Sequence, residues 1–433
     1  MTHTLEALQS GQLIGLKRLK LACGLKTFPE DILKLADTLE ILDLSGNDLS
    51  TLPDSFAQLK KLRILFFANN KFTVFPSVLA RCPDLSMIGF KFNHITTVPE
   101  DAFPPKLNWL ILTDNKIKTL PKSLGQAVRL RKCALSGNKI EALPVEMANC
   151  VNLELLRISA NHLKVIPNWL FKLPKLSWIA FGGNPAAQSI PGENNLESYN
   201  WDHFTIKTLI GEGASGFISH AHWEQKQEDV AIKVFKGAVT SDGLPEDEMD
   251  ASIAAGNHKN LIPILGKIKN HPDGKSALIM ELIASNYSNL GNPPSLETCT
   301  RDVFDETSSF TASQLLKIAK GMASVSTQLH EKGINHGDFY AHNILINKTA
   351  DCYLGDFGAA SFYNVNWEIA PNIQRIEVRA FGCLLEDVLH VVNQDTFNDG
   401  QLNNWLKLIQ ECTKPEVIER PSFSEITEVL NTF

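Results

Sequence analysis

Two hydrophobic periods divide the chain. Along the first half, apolar residues return in the order L-x-x-L-x-L-x-x-N-x-L about every 23 residues. The pattern is clear at Leu39, Leu42, Leu44, Asn47 and Leu49, and recurs at 62–72, 85–95 and 107–117. Three further units follow around Asn138, Asn161 and Asn184, and a first one, without the asparagine, begins at Leu16, Leu19 and Leu21. The alternation inside each unit predicts a short strand with one face in a core. Seven of the units also carry an apolar-proline pair after the strand, from Phe28-Pro29 to Ile166-Pro167. A unit this small cannot bury its leucines alone, so about eight of them are expected to stack over one shared core.

From residue 204 the period changes to longer elements. Phe217–Trp223 alternates like a strand, and Val230, Ile232 and Val234 predict another with a lysine, Lys233, set among apolar residues. Pro245 suits a helix start. Apolar residues at 277–280 predict a third strand, and Gly321 to His330 a helix. Between the halves, residues 191–203 begin polar and turn-rich and read as a linker.

Composition sharpens this division. The chain has 433 residues, 44% of them hydrophobic and 21% charged, as in an ordinary folded protein. Residues 1–200 carry 23 basic and 17 acidic side chains (+6), and residues 201–433 carry 18 and 31 (−13). Neither half has the basic stripe of a nucleic-acid binder. No apolar run is long enough for a membrane span, and residues 1–8 do not read as a secretory signal. The eight cysteines lack metal-ligand spacing, so a reducing compartment, the cytoplasm, is expected.

The repeat resembles the leucine-rich repeat, and the resemblance implies an α/β solenoid, a horseshoe, over residues 1–190. Its leucines and asparagines serve the core and the turns. Residues between them face the open side, among them Phe66, Trp109, Ile111 and Trp178. Packing of the repeats does not explain such large apolar groups on that face, and an exposed apolar patch marks a binding surface. A protein is the expected partner, either a substrate or the second half of the same chain.

The second half holds a set of motifs in order. Gly211-x-Gly213-x-x-Gly216 is followed by Val230-Ala-Ile-Lys233, then His336-Gly-Asp338, Asn343 and Asp356-Phe-Gly358. Together they resemble the protein kinase catalytic domain. The resemblance covers 204–433 and implies a bilobal α+β domain, with an N-lobe at 204–283 and a C-lobe at 284–433. It implies ATP and Mg2+ as cofactors and transfer to a protein hydroxyl, serine or threonine in preference. Gly211, Gly213 and Gly216 would let backbone amides reach the phosphates, with Ile210 and Ile218 beside them. Lys233 would pair the α- and β-phosphates, oriented by Glu248, for which Glu246 is the rival. Met280, Glu281 and Ile283 correspond to the back of the adenine pocket and the hinge. Asp338 corresponds to the catalytic base, and Asn343 and Asp356 to the metal ligands.

The chain departs from the family in three places. Gly337 stands where the family has an arginine that meets a phosphate on the activation loop, so switching by loop phosphorylation is not expected. Asp356 to Glu377 spans only 21 residues, and no A-P-E is present. Tyr340 replaces the lysine of serine/threonine kinases. Two other readings stay open on the sequence. One is a catalytically weak pseudokinase scaffold. The other is a small-molecule phosphotransferase, because H-G-D-x-x-x-x-N is also the loop of antibiotic and choline kinases.

Overall fold

The structure, a computed structural model, describes residues 2–188, 196–237, 239–294 and 301–433. It forms two compact units: residues 1–173 with 184–186, and residues 174–183 with 187–433. Of the expected linker, residues 191–195 lie outside the described residues.

In the first unit, seven three-residue strands, from Arg18–Lys20 to Leu155–Arg157, pair in parallel in chain order. The central residue of each (Leu19, Leu42, Leu65, Ile88, Leu110, Cys133, Leu156) is fully buried. Each such side chain contributes about 1.5–3 kcal/mol by leaving water. The registers are one to one, so side chains of one type lie in rows across the sheet.

Most strands return through a short 3₁₀ helix that starts after a proline: Pro29, Pro53, Pro76, Pro121, Pro144 or Pro167. The ring fixes φ near −70° and places the chain at the helix entrance. Asparagines then close each turn. Asn115 donates to the Phe90 and Leu112 carbonyls (2.9 and 3.0 Å) and accepts from the Ile95 amide (2.9 Å). Asn70, Asn93 and Asn138 repeat this pattern one unit apart. Burial of Cys82 and Cys150 raises both thiols to about 11.

The second unit begins with a six-stranded sheet in the order Phe204–Glu212, Gly216–Trp223, Glu228–Phe235, Ala277–Glu281, Ile264–Lys269, Ser198–Asn200. The last strand pairs in parallel with its neighbour and the others antiparallel. Residues 198–203, placed in the expected linker, are therefore part of the folded unit. Tyr199 explains why: it packs edge-on against buried Trp223. The helix Pro245–Ala255 lies beside the sheet, opened by its proline.

The remainder is built mainly of helices: Ala312–Glu331, Ala370–Leu389, Gln401–Cys412 and Phe423–Leu430. Thr311 with Gln314, and Ser422 with Glu425, form reciprocal caps that fix two of their starts. No helix among the described residues is long and apolar enough to cross a membrane.

The strand Trp178–Ala180, eighth by sequence period, packs on the helix Ala370–Leu389 and belongs to this second unit. By their contacts, residues 174–183 group with this second unit.

Candidate active site

Strand alternation places Lys233 on the same face as Ala231 and Phe235, against which Leu278, Met280 and helix residue Ile253 pack. The helix Pro245–Ala255 presents Glu248 to that face, and the Lys233 ammonium is ion-paired with its carboxylate. The lysine's partner is thus Glu248, not Glu246. Burial pushes the Glu248 carboxyl above its ordinary range and the charge of Asp356 adds to this, while Lys233 pulls it down. The pair is closely interlocked with the rest of the site, since Gly358 lies near both Asp356 and Glu248.

The turn between the first two sheet strands is closed by the Gly213 amide on the Gly216 carbonyl at 2.9 Å. Gly216 has a packing reason: a Cβ there would lie 2.5 Å from the Val234 carbonyl oxygen. Gly213 has none, because a Cβ would meet nothing within 4 Å. What remains for Gly213 is close approach from outside. Ile210 beside it is 53% exposed, and Ile218 is half-buried. At the far edge Met280 is buried, and the Glu281 amide donates to the Pro263 carbonyl at 3.0 Å. Ile283 follows, half-buried.

The loop after the helix Ala312–Glu331 carries Asp338 and Asn343. The Asn343 amide group donates to the Asp338 carboxylate at 2.7 Å and to its backbone carbonyl at 2.9 Å. The Asn343 carbonyl in turn accepts the Gly355 amide at 2.9 Å, which ties this loop to the one bearing Asp356. His336 bonds the Gly355 carbonyl at 2.9 Å through Nε2 and packs on Phe357. Asp356 adopts a left-handed backbone, φ 53°, and its carboxylate accepts the Gly358 amide at 3.1 Å. Short carboxyl side chains tolerate that conformation by bonding locally. Asp338, Asn343 and Asp356 so bring carboxylate and amide oxygens together, a donor set that fits a hard divalent cation such as magnesium.

Two supporting residues escaped the sequence reading. Asp302, distant in sequence, accepts the Ala341 amide at 2.6 Å and bonds the His342 ring, so it fixes the loop between Asp338 and Asn343. His342 is held above the usual imidazole range: burial lowers it, but the Asp302 hydrogen bond and the charges of Asp338, Asp302 and Asp356 outweigh that. Glu377 was legible only as a landmark, and it accepts the Gly337 amide at 2.8 Å and pairs His330 at 2.7 Å. Burial pushes its carboxyl upward, yet the His330 hydrogen bond, the charges of His330 and His336, and the Gly337 amide hold it below its usual range. No local motif announces either contact, because each joins residues about 40 positions apart.

Gly337 has a steric reason of its own. Its φ is +74°, and a Cβ would lie 2.6 Å from both the Ala359 and Ile179 carbonyl oxygens. After Asp356 the chain makes a short strand, Ser361–Phe362, paired with Ile334–Asn335, and Ala370-Pro371 open the next helix. Ser361 and Tyr363, the hydroxyl residues of this stretch, are both buried.

Of the residues expected on the open face of the repeats, Phe66, Trp109 and Ile111 are half-buried. Phe66 lies over Gly89, where a Cβ would come within 2.8 Å of the ring, and Lys132 sits 4.6 Å above the Trp109 ring. Trp178 departs from the expectation. It is 1% exposed and stacks on Tyr340 at 4.3 Å, so it is not a solvent-facing anchor.

Residues 204–372 match the family model described as protein tyrosine and serine/threonine kinase, and residues 37–95 the one described as leucine rich repeat. Among curated relatives, cyclin-dependent kinase 20 of Danio rerio is 26% identical over 255 residues, covering 52% of this chain and 70% of that protein. Extracellular signal-regulated kinase 1 of Candida albicans is 25% identical over 236 residues, 48% of this chain and 53% of that protein. Ephrin type-B receptor 4b of Danio rerio is 30% identical over 165 residues, 37% and 16% respectively. The chain spans about half or less of most of the curated relatives it matches.

Proposed function

We propose that this chain, a leucine-rich repeat region joined to a protein kinase domain, transfers the γ-phosphate of ATP to a protein hydroxyl, serine or threonine in preference. The observation that carries the reading is the ion pair of Lys233 with Glu248 beside the tied Asp338, Asn343 and Asp356. A protein kinase domain works with ATP and a divalent metal, and phosphoryl transfer asks the protein chiefly for positioning and charge neutralisation.

In this reading the backbone at Gly211, Gly213 and Gly216 approaches the phosphates, and Lys233, oriented by Glu248, pairs the α- and β-phosphates. Ile210 and Ile218 flank the adenine, Met280 closes the pocket behind it, and the Glu281 carbonyl and Ile283 amide bond its edge. Asn343 and Asp356 would hold magnesium, which when bound offsets charge on the phosphates. Asp338, kept in place by Asn343, accepts the proton of the attacking hydroxyl. The packing at Gly337 removes the main support for a small-molecule phosphotransferase, since a glycine is needed there for steric reasons. The intact polar set opposes a pseudokinase.

The repeat face bearing Phe66, Trp109 and Ile111 is the proposed recognition surface for a protein. Lys233→Met tests the catalytic reading. Phosphate incorporation into casein from magnesium-ATP should fall at least a hundredfold in the full chain while the variant remains folded. Wild-type incorporation by a folded Lys233→Met protein would refute the reading.

A further inference from the structure

Residues 174–183 lie against the loop in which Gly337 stands where the family has a phosphate-receiving arginine. Several contacts tie this segment to the catalytic loop and its surroundings within the second unit. The Trp178 ring lies flat on Tyr340, 9° from parallel, and its indole N–H donates to the Phe339 carbonyl at 3.2 Å. The Ile179 carbonyl accepts the Asn335 side-chain amide at 2.9 Å. The Phe181 and Gly182 amides both donate to the Ser361 hydroxyl oxygen, at 2.8 and 3.0 Å. At the segment's start, the Pro174 carbonyl accepts the buried Arg420 guanidinium at 2.8 Å.

These contacts bracket the site. Asn335, Phe339 and Tyr340 lie on either side of Asp338, and Ser361 lies five residues past Asp356. The Ile179 carbonyl also approaches Gly337 so closely that no side chain fits there. With the Ala359 carbonyl at the same distance and a φ of +74°, the segment is one of the groups that keep position 337 a glycine. A catalytic carboxylate must be held to within about 0.5 Å of its productive position by groups that are themselves locked, and misplacement by about 1 Å can cost about a hundredfold in rate. A buried aromatic stack with a hydrogen bond to the loop backbone supplies such a lock without any phosphate.

We propose that residues 174–183 are a built-in brace of the catalytic loop, with Trp178 and Ser361 as positioning residues for phosphoryl transfer. The brace makes the kinase constitutively ordered, with no requirement for loop phosphorylation. The proposal rests on the kinase reading above, and it fails separately from it.

The test uses the full chain with magnesium-ATP and casein, alongside hydrogen exchange of residues 335–343. Trp178→Ala should lower kcat at least tenfold with KM for ATP within about twofold, and speed exchange in the loop. Trp178→Phe, which keeps the stack, should recover to within a few-fold of wild type. Ser361→Ala should lower kcat several-fold, and it carries the test if Trp178→Ala does not fold. Unchanged kcat and unchanged exchange in folded Trp178→Ala and Ser361→Ala proteins would overturn the brace. A faster Trp178→Ala enzyme would overturn it too, because the segment would then be an obstruction. Wild-type protein that transfers no phosphate would refute the kinase reading, and the exchange measurement would still decide whether the segment braces the loop.

Discussion

Single residues in this chain are explained by what lies next to them, and Gly337 is the clearest case. A family-wise comparison treats it as a lost arginine. Its left-handed backbone and two carbonyl oxygens at 2.6 Å from any Cβ make glycine the residue that fits. Restoring a side chain should therefore harm the protein. Gly337→Ala carries a backbone cost of about 1–2 kcal/mol and a steric clash besides, so a drop in melting temperature and in transfer rate is expected. Unchanged stability would show that the loop shifts freely. At this scale the sequence was informative wherever chemistry needs a particular group at a fixed spacing, as with Lys233, Asp338, Asn343 and Asp356. It was silent on Asp302 and Ser361, whose types are common and whose partners lie far along the chain.

Elements follow the same division. The 23-residue period predicted the short strands and their shared core, because each unit repeats the same burial problem. It also predicted the asparagine turns, where a buried amide bonds the backbone of adjacent units. It did not predict that the returns would be short 3₁₀ helices, which depend on the few residues left between proline and the next strand. Nor did polarity reveal that residues 198–200 pair with 267–269. Side-chain pattern over three residues is too short to register, and the pairing rests on a distant partner.

Two substitutions separate the structural and recognition roles of the repeats. Asn115→Ala should destabilise the first unit by roughly 2–4 kcal/mol, because three buried backbone groups lose their partner. Trp109→Ala should melt close to wild type yet lose a captured protein partner, since truncated aromatic anchors typically cost about 2 kcal/mol or more in binding. Thermal melts and pull-downs with the full chain read both. If Trp109→Ala melts as low as Asn115→Ala, the tryptophan is structural and the recognition surface is misassigned.

At the scale of the whole molecule, two halves were legible from period, charge and motif order alone. The eighth repeat keeps the consensus spacing through Asn184, so periodicity alone placed Trp178 with its neighbours in sequence. The bonds from Trp178 to Phe339 and from Phe181 to Ser361 span 161 and 180 residues, and no local pattern encodes a separation of that size.

The central claim is that Asp338 serves as the base in phosphate transfer from ATP. The most direct measurement compares the full chain with Asp338→Asn, following labelled γ-phosphate into casein while magnesium-ATP binding is measured on the same samples. Asp338→Asn should bind nucleotide as wild type does and transfer at least a hundredfold less. Transfer at the wild-type rate by the folded variant would contradict the claim.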